Sequence, residues 1–311
     1  MIAAVLCGAT AAGKSALALK LARENGFEIL SADSRQIYRG FEIGTNAPTA
    51  SEREVPHHLV GFADPDRSFS PREYPSHVHA LLDANPHTRF LVVGGTGLYL
   101  KELLYPSPVD RGPTPDAIKA QVQERIKSEG LPHLYAELLR LDPEAARSLH
   151  PNDVYRIAKR LENLLITGES YTALTGPRVP DPRFQDVPIL CLDIGRDDLY
   201  ARIDKRVESM LASGWLEEVR RLMTRPDWES LPAFSSLGYR ELAAVISGSL
   251  PLPDAVRSIQ KQTRNYAKRQ VTFFRRQLPS ARHWDAYRLE DALAGCKWRW
   301  ENFLKRSPDR P

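Results

Sequence analysis

A glycine-rich segment near the start of the chain has the residue types and spacing of a phosphate-binding loop. It matches the pattern G-x-x-x-x-G-K-[ST] and lies between an apolar run and a helix-like stretch. Glycines let backbone N–H groups converge on phosphate oxygens at the positive end of the following helix. Lys14 adds a cation for the terminal phosphate, and the Ser15 hydroxyl can ligate Mg²⁺. The predicted diphosphate- or nucleotide-binding residues are Gly8, Ala9, Thr10, Ala11, Ala12, Gly13, Lys14 and Ser15.

The segments that follow this loop lack the residues that nucleotide hydrolysis needs. In nucleotide-hydrolysing enzymes with such a loop, a second strand ends in an aspartate that organises the metal ion. The candidate strand here, residues 90–93, runs instead into Gly94-Gly95-Thr96-Gly97, and the guanine-reading NKxD pattern is absent. We therefore expect the loop to hold a diphosphate that leaves, rather than a nucleotide that is hydrolysed.

Two polar residues, Asp33 and Thr96, follow predicted strands. In an open α/β sheet the carboxyl ends of the strands line the ligand crevice, so both residues are expected at the same mouth as the phosphate loop. The local sequence also allows Asp33 to be a capping residue and Thr96 to be a simple turn residue. The adjacent His57 and His58 have no partner at metal-ligand spacing, so we do not expect them to bind a metal.

Basic residues are concentrated towards the carboxyl end of the chain. The net charge is only +4, yet residues 255–284 contain eight Lys or Arg and no Asp or Glu. Four of these residues share one helix face, because they are spaced i, i+3, i+7 and i+8: Lys261, Arg264, Lys268 and Arg269. Such a stripe favours a polyanionic partner, although a solvated helix face would look the same.

The composition indicates an ordinary globular protein, with 42% hydrophobic and 26% charged residues among 311. Its three cysteines, Cys7, Cys191 and Cys296, are far apart and lack CxxC or Cys/His spacing. This pattern argues against a disulfide framework and a structural zinc site, and it fits a reducing cytosol. No run of 18 apolar residues is present, so we expect a cytoplasmic protein that does not enter the membrane.

Apolar strand-like runs alternate with helical stretches, which indicates an α/β fold. The runs at 1–7, 28–32, 90–93 and 187–194 predict a parallel sheet covered by helices, similar to the P-loop NTPase fold. The stretch between Pro-rich borders near 106 and 184 lacks strong strand runs and predicts a helical insertion. In it, a helix is expected to begin after Asn152 or Asp153, to end at Gly168 and to bury Ile157, Leu161, Leu164 and Leu165. The predicted domains are a core in two parts, 1–109 and 184–311, and a helical insertion domain, 110–183, with basic helices at the carboxyl end.

A set of motifs in the same order along nearly the whole chain resembles the tRNA dimethylallyltransferases. After the phosphate loop come DSRQIY at 33–38, PHHL at 56–59, GGTGLY at 94–99, HPND at 150–153, LGYRE at 237–241 and YAKRQ at 266–270, followed by Arg275. The loop alone occurs in many families, whereas the ordered set is specific. The zinc finger typical of eukaryotic members is not in the sequence, so the chain resembles the bacterial type.

This resemblance implies a reaction and the roles of several residues. A dimethylallyl group would move from dimethylallyl diphosphate to N6 of the adenosine 3′ of the anticodon in tRNA, releasing diphosphate. Asp33 would act as general base, Thr96 would hydrogen-bond at the reacting centre, and Lys14 would stabilise the leaving diphosphate. Mg²⁺ would be the cofactor, with Ser15 as its ligand. The partners are then tRNA and the donor, and we expect a monomer.

The same resemblance and the basic patches suggest which residues face the tRNA. In the core they are Asp33, Ser34, Arg35, Gln36, Thr96, Gly238, Tyr239, Arg240, Lys268, Arg269, Gln270 and Arg275; in the insertion they are Lys119, Arg156, Lys159 and Arg160. Several positions depart from the family pattern: Ala9, Ala12 and Ser15 in the loop, Gly61 after PHHL, Tyr155 after HPND, and Phe273 in place of a usual Trp.

Two other kinds of protein share part of this pattern. A small-molecule or nucleoside kinase would also have the phosphate loop and an aspartate after the second strand, but it would explain neither the basic helix nor the later motifs. A non-catalytic RNA-binding module would use the loop to grip an RNA phosphate.

Overall fold

The structure is a computed structural model and describes residues 1–49, 51–108, 114–174, 178–278 and 280–286. Contacts divide the chain into two compact units. The core unit comprises Met1–Leu104 with Pro182–Pro311, and the second unit is Tyr105–Asp181, compared with 110–183 for the insertion interpreted from the sequence. Residue 110 and Cys296 lie outside the described residues.

The core unit contains a six-stranded sheet in which every pair of neighbouring strands is parallel. The strands are β1 (Ile2–Gly8), β2 (Glu28–Ser31), β3 (His57–His58), β4 (Phe90–Gly94), β5 (Ile189–Asp193) and β6 (Arg282–Asp285). Their order across the sheet is β3-β2-β4-β1-β5-β6. The prediction of a parallel α/β sheet is confirmed, but the two edge strands were missed because β3 is two residues long and β6, RHWD, has no apolar run.

The described helices belong to both units. In chain order they are α1 (Lys14–Asn25), α2 (Glu42–Thr45), α3 (Glu73–Ala84), α4 (Gly97–Leu104), α5 (Asp116–Ser128), α6 (Leu131–Leu141), α7 (Pro143–Arg147), α8 (Val154–Thr167), α9 (Tyr171–Leu174), α10 (Arg196–Ala212), α11 (Trp215–Leu222), α12 (Tyr239–Ile246) and α13 (Leu252–Gln277). Helices α5–α9 form the second unit, and the others belong to the core unit. None of the described helices is long and apolar enough to span a bilayer.

Burial of apolar side chains explains why α1 packs on the sheet. Leu17, Ala18, Leu21 and Ala22 follow the i, i+1, i+4, i+5 spacing of one helix face and are buried against β1, β2 and β4. Gly26 ends the helix in the left-handed conformation, with φ of 66°. The packing fixes the end of α1 that faces the phosphate loop.

Helix α13 is the long basic helix predicted near the carboxyl end. Its buried residues repeat at helical spacing: Ala255, Ile259, Ala267, Gln270 and Phe274. Its opposite face carries the exposed Lys268 and Arg269. One side of α13 therefore belongs to the core unit, and the other side presents basic groups to solvent.

The second unit has its own apolar core, which includes Val122, Leu134, Leu138, Ile157 and Leu161. Helix α8 begins as predicted: the Arg156 N–H donates to Asp153 Oδ1 at 3.1 Å, and Gly168 ends the helix. Leu165 was expected on the buried face, but its side chain is 43% exposed. The buried face follows 157 and 161, and Leu165 lies beyond the edge of that stripe.

Candidate functional site

The phosphate loop connects β1, in the centre of the sheet, to the first turn of α1. Gly8 and Gly13 have φ of 142° and 98°, which glycine adopts without steric cost. A Cβ at Gly8 would lie 2.7 Å from the Leu192 carbonyl oxygen of β5, so the close approach of the two strands also requires glycine. The loop lies where the sequence predicted it, at the carboxyl end of a parallel strand and before a helix.

Lys14 lies in this loop with its ammonium turned back towards the backbone. Its Nζ donates to the Ala9 carbonyl oxygen at 2.7 Å. Burial, and secondly the charge of Arg206, lower the pKa of Lys14 to about 8. The ammonium form of Lys14 is therefore only weakly stabilised in the loop, and a bound anion would stabilise it.

Arg206 is the site residue that the sequence analysis missed. It lies on α10 on the same face as the buried Ile203, Val207 and Met210, and burial lowers the pKa of its guanidinium while Asp33 partly offsets this effect. An arginine on an otherwise apolar helix face is the signal that could have identified it. With Lys14, it supplies two positive charges around one space.

Asp33 and Thr96 meet because the loops after β2 and β4 are hydrogen-bonded together. The Ser34 N–H donates to Thr96 Oγ1 at 2.9 Å, and the Thr96 N–H donates to the Ala32 carbonyl oxygen at 3.1 Å. One oxygen of Asp33 accepts from the Arg35 N–H at 2.9 Å. The sequence left open that Asp33 is a capping residue. Its side chain does accept from a nearby backbone N–H, and it also lines the cleft.

Tyr266 of α13 completes this group. Its hydroxyl interacts with Thr96, and burial, with the nearby Asp33 charge, raises its pKa to about 12. The phenol is therefore neutral at physiological pH and stays a hydrogen-bonding group. In the sequence, Tyr266 is recognisable only as part of a motif.

Two cavities of about 280 Å³ and 350 Å³ meet at these residues. Both are lined by Thr10, Asp33, Arg206 and Tyr266. The first cavity adds Lys14 and Ser15 and an apolar wall formed by Leu19, Ile29, Val60 and Val93. The second adds Arg35, Arg269 and Ser235 and an apolar wall formed by Met210, Trp215 and Leu237. Together the two cavities have charged residues where they meet and an apolar wall on each side of that point.

The first cavity also has oxygen donors suited to Mg²⁺. The Ser15 side chain lines it at the start of α1, together with the carboxylates of Asp33 and Glu52. Mg²⁺ prefers oxygen ligands and retains several waters, so one hydroxyl and the phosphates of a ligand suffice to hold it. The residues present therefore fit a magnesium ion bound together with a diphosphate.

A separate group near the end of β5 could also be considered for a metal. Among the described residues, Cys191, Asp193 and His283 place their donor atoms within 4.8 Å of one another. The Asp193 carboxylate is already paired with His283 Nδ1 at 3.1 Å and with the Arg275 guanidinium at 3.4 Å. These contacts satisfy the carboxylate without a metal ion.

His57 and His58 make local contacts in the short strand β3. His57 Nδ1 lies 2.8 Å from the Val55 carbonyl oxygen, and His58 Nε2 lies 2.6 Å from Glu28 Oε2 of the neighbouring strand β2. Both histidines thus support the edge of the sheet.

Three of the residues expected to contact tRNA are buried, which argues against direct contact, but their contact with tRNA stays a prediction. Tyr239 is fully buried and donates its hydroxyl to Glu218 at 2.8 Å. Gly238 packs against Trp215, whose ring would lie 2.2 Å from a Cβ at that position. The Gln270 side chain is buried and bonded to two backbone groups. Their motifs reflect packing that the spacing of residues does not reveal.

Several of the other predicted tRNA contacts are at least partly exposed. In the core unit, Arg240, Lys268, Arg269 and Arg275 are exposed, and Ser34, Arg35 and Gln36 are half-buried at the cleft. In the second unit, Lys119 and Arg156 pair with nearby carboxylates, Lys159 pairs with the buried Glu162, and Arg160 lies over the ring of Tyr171. Contact of these residues with tRNA stays a prediction.

Two protein-family models match the regions of the chain that carry the ordered motifs. The family model described as IPP transferase matches residues 36–277, and the model described as isopentenyl transferase matches residues 1–58. The tRNA dimethylallyltransferase of Geobacter metallireducens is 42% identical over 279 residues, which cover 88% of this chain and 89% of that protein. The enzyme of the same name from Symbiobacterium thermophilum is 40% identical, with 88% and 86% covered.

Solved structures show the same architecture. The tRNA isopentenylpyrophosphate transferase of Bacillus halodurans superimposes with a TM-score of 0.65 at 29% identity and covers 94% of this chain and 95% of its own. A eukaryotic dimethylallyltransferase acting on tRNA has a TM-score of 0.75 at 24% identity, with 99% and 85% covered, and it supports the fold alone.

Proposed function

Because this chain belongs to the IPP transferase family, the family of the tRNA dimethylallyltransferases, it is an enzyme that transfers a dimethylallyl group to tRNA, and we propose that the acceptor is N6 of the adenosine 3′ of the anticodon. The donor in this proposal is dimethylallyl diphosphate. The observation that carries it is the meeting of two cavities at one point, where Lys14 and Arg206 face Asp33.

The first cavity suits the donor. A diphosphate would lie against the loop amides, Lys14 and Arg206, where its charge meets two cations and the positive end of α1. The apolar wall of Leu19, Ile29 and Val93 suits a branched five-carbon chain, since it gains by leaving water.

The second cavity suits the acceptor base. A base stacked in an anticodon loop must be turned out of the stack before its exocyclic amine can react. Arg35 and Arg269 line this cavity and provide cations for the RNA backbone, while the Tyr266 ring lies at the junction with the first cavity. The adenine would therefore meet the donor beside Asp33.

The chemistry demands help for both the leaving group and the nucleophile. The bond from the allylic carbon to the diphosphate oxygen breaks as N6 bonds to that carbon, and Lys14 and Arg206 stabilise the negative charge that grows on the oxygen. Ser15 would hold Mg²⁺, which when bound adds further charge neutralisation to the diphosphate. The aromatic amine is weakly basic, so its proton becomes acidic only as the new bond forms, and Asp33 then accepts it.

Thr96 and Tyr266 orient this step rather than take part in proton transfer. The Thr96 hydroxyl accepts from the Ser34 N–H and donates to the Ser34 hydroxyl, so it is held against the loop that carries Asp33, and Tyr266 interacts with it. A neutral phenol and a fixed hydroxyl can position an amine without competing for its proton. We also propose that the enzyme acts as a monomer in the cytoplasm.

Mass analysis of a tRNA transcript tests the proposal. Unmodified transcript incubated with the enzyme, Mg²⁺ and dimethylallyl diphosphate should gain one dimethylallyl group, located at the adenosine 3′ of the anticodon. A transcript with guanosine at that position is the control and should stay unmodified. Transfer of label from the γ-phosphate of ATP, with none from the isoprenoid donor, would instead support a kinase.

A further inference from the structure

One buried side chain of α13, Gln270, joins the two loops that form the candidate site. Its Oε1 accepts from the Thr10 N–H of the phosphate loop at 2.8 Å. Its Nε2 donates to the Gly95 carbonyl oxygen, next to Thr96, at 2.7 Å. Gln270 is only 6% exposed and lines the first cavity, so the loss of either bond would leave a largely buried polar group without its partner.

The approach of α13 to the Thr96 loop is too close for larger residues. A Cβ at Gly95 would lie 2.5 Å from Gln270 Nε2, and a Cβ at Gly97 would lie 2.2 Å from the Phe273 ring. The glycines of GGTG therefore make room for α13, one turn of which carries both Gln270 and Phe273. In the sequence, the same glycines are recognisable only as part of a loop motif.

An amide side chain of this length satisfies both partners without any change of protonation state. The Thr10 N–H needs an acceptor, and the Gly95 carbonyl needs a donor. A carboxylate accepts from the first but repels the second, and an aliphatic side chain satisfies neither. The bond to Gln270 also commits the Thr10 N–H, so a bound diphosphate must use the other amides of the loop.

We propose that Gln270 is a positioning residue for the transfer reaction, holding the phosphate loop and the Thr96 loop at a fixed separation. The inference rests on the proposed function. The phosphate loop receives the leaving diphosphate, and Thr96 stands with Asp33 where the amine attacks. Displacement at carbon needs the leaving oxygen and the attacking nitrogen on opposite sides of one atom, and a misplacement of about 1 Å can cost on the order of 10²-fold in rate.

The first test replaces the amide by a side chain of similar length without a hydrogen-bonding amide, Gln270→Met. We expect the single-turnover rate to fall by about tenfold or more, with the KM for the donor changed by less than about threefold, because the cations that bind the donor remain. The matched control is Gln277→Met at the exposed end of the same helix, which should keep the wild-type rate.

The second test uses Gln270→Glu and the pH dependence of its rate. The buried carboxylate faces the Gly95 carbonyl oxygen, which raises its pKa, and once protonated it can donate to that oxygen as the amide does. The rate of this variant relative to wild type should therefore rise as pH falls from about 8 to about 6. Gln277→Glu introduces the same charge on the same helix and should show no such rise.

Each result decides one question. A folded Gln270→Met enzyme with the wild-type rate, or a Gln270→Glu deficit that does not change with pH, would overturn the positioning role. A loss of thermal stability with an unchanged rate in the folded fraction would assign Gln270 to packing alone. A wild-type enzyme that transfers nothing from the donor would refute the proposed function instead.

Discussion

At the scale of single residues, the site depends on a balance between two cations and one carboxylate. Lys14 and Arg206 are both held where burial opposes their charge, while Asp33 favours it. A diphosphate would reverse this balance by bringing negative charge to the cations. The same residues would therefore bind the diphosphate of the donor and stabilise it as the leaving group.

Replacing Asp33 by asparagine tests the general base. Asparagine keeps the side-chain oxygen that accepts from the Arg35 N–H, so the turn is preserved. We expect kcat to fall by about 10²-fold or more, because the amide cannot take the proton from N6. The affinity for tRNA, measured by filter binding, should barely change. Near-normal turnover would show that another group accepts the proton.

The lowered pKa of Lys14 predicts a pH dependence of donor use. In the free enzyme this ammonium loses its proton as the pH rises through about 8, and the neutral amine no longer attracts the diphosphate. We expect kcat/KM for the donor to be level below that pH and to decline above it. Lys14→Met should be slow throughout and lack this decline. A wild-type profile that stays level to a pH of about 9.5 would contradict the assignment.

At the scale of elements, the contacts of α13 show which of its basic residues are already paired with carboxylates and which are available for RNA binding. Of its basic residues, Arg257 pairs with Asp254, and Arg264 makes two bonds to Asp204 of α10 at 2.7 and 2.8 Å. Lys268 and Arg269 instead lie over the rings of Tyr200 and Tyr266 and stay exposed. Of the four residues in the stripe, Arg264 is therefore committed to Asp204, whereas Lys261, Lys268 and Arg269 are exposed and available for contact with RNA phosphates.

This distinction predicts the salt dependence of tRNA binding. The logarithm of the dissociation constant should rise with the logarithm of salt concentration. For each RNA phosphate that Lys268→Ala or Arg269→Ala leaves without its cation, the slope should decrease by about 0.7. Arg257→Ala, on the same helix but paired with Asp254, should leave the slope unchanged. Equal slopes for all variants would show that Lys268 and Arg269 do not contact RNA phosphates and only form part of the solvated surface.

The elements also show what the sequence could and could not predict. The central strands and α1 were predictable because continuous apolar runs and helical spacing are local signals. Strands β3 and β6 have neither signal, since they lie at the edges and keep polar residues. The apolar helix face could have drawn attention to Arg206, and Gln270 was assigned to the tRNA, but neither could be placed beside its actual partners. Those partners lie in loops far away in sequence, and only the packing of α10 and α13 brings them together.

At the scale of the whole molecule, buried polar contacts join distant parts of the chain. Glu218 of α11 is almost fully buried and accepts from the Ile43 and Gly44 N–H groups at 2.7 and 3.0 Å, as well as from the Tyr239 hydroxyl. One carboxylate thus connects α2, α11 and α12. This network explains why Tyr239 belongs to a motif although it faces away from solvent.

Removing this carboxylate should destabilise the core unit. We expect Glu218→Ala to lower the free energy of unfolding by about 3 kcal/mol, because two backbone N–H groups and a phenol lose their buried acceptor. The neighbouring Glu217→Ala is the control, since its exposed pair with Arg220 contributes little. Urea unfolding of both variants measures the difference, and equal midpoints would contradict the role of Glu218.

The position of β1 in the middle of the sheet has a consequence for biosynthesis. The ribosome makes this strand first, yet both of its neighbours, β4 and β5, are made much later, and Gln270 later still. Contacts between such distant segments form slowly and leave strand edges open in the meantime. We expect the nascent chain to acquire its anion-binding loop conformation only after β5 and α13 have been made, so that products truncated before α13 should not bind a diphosphate.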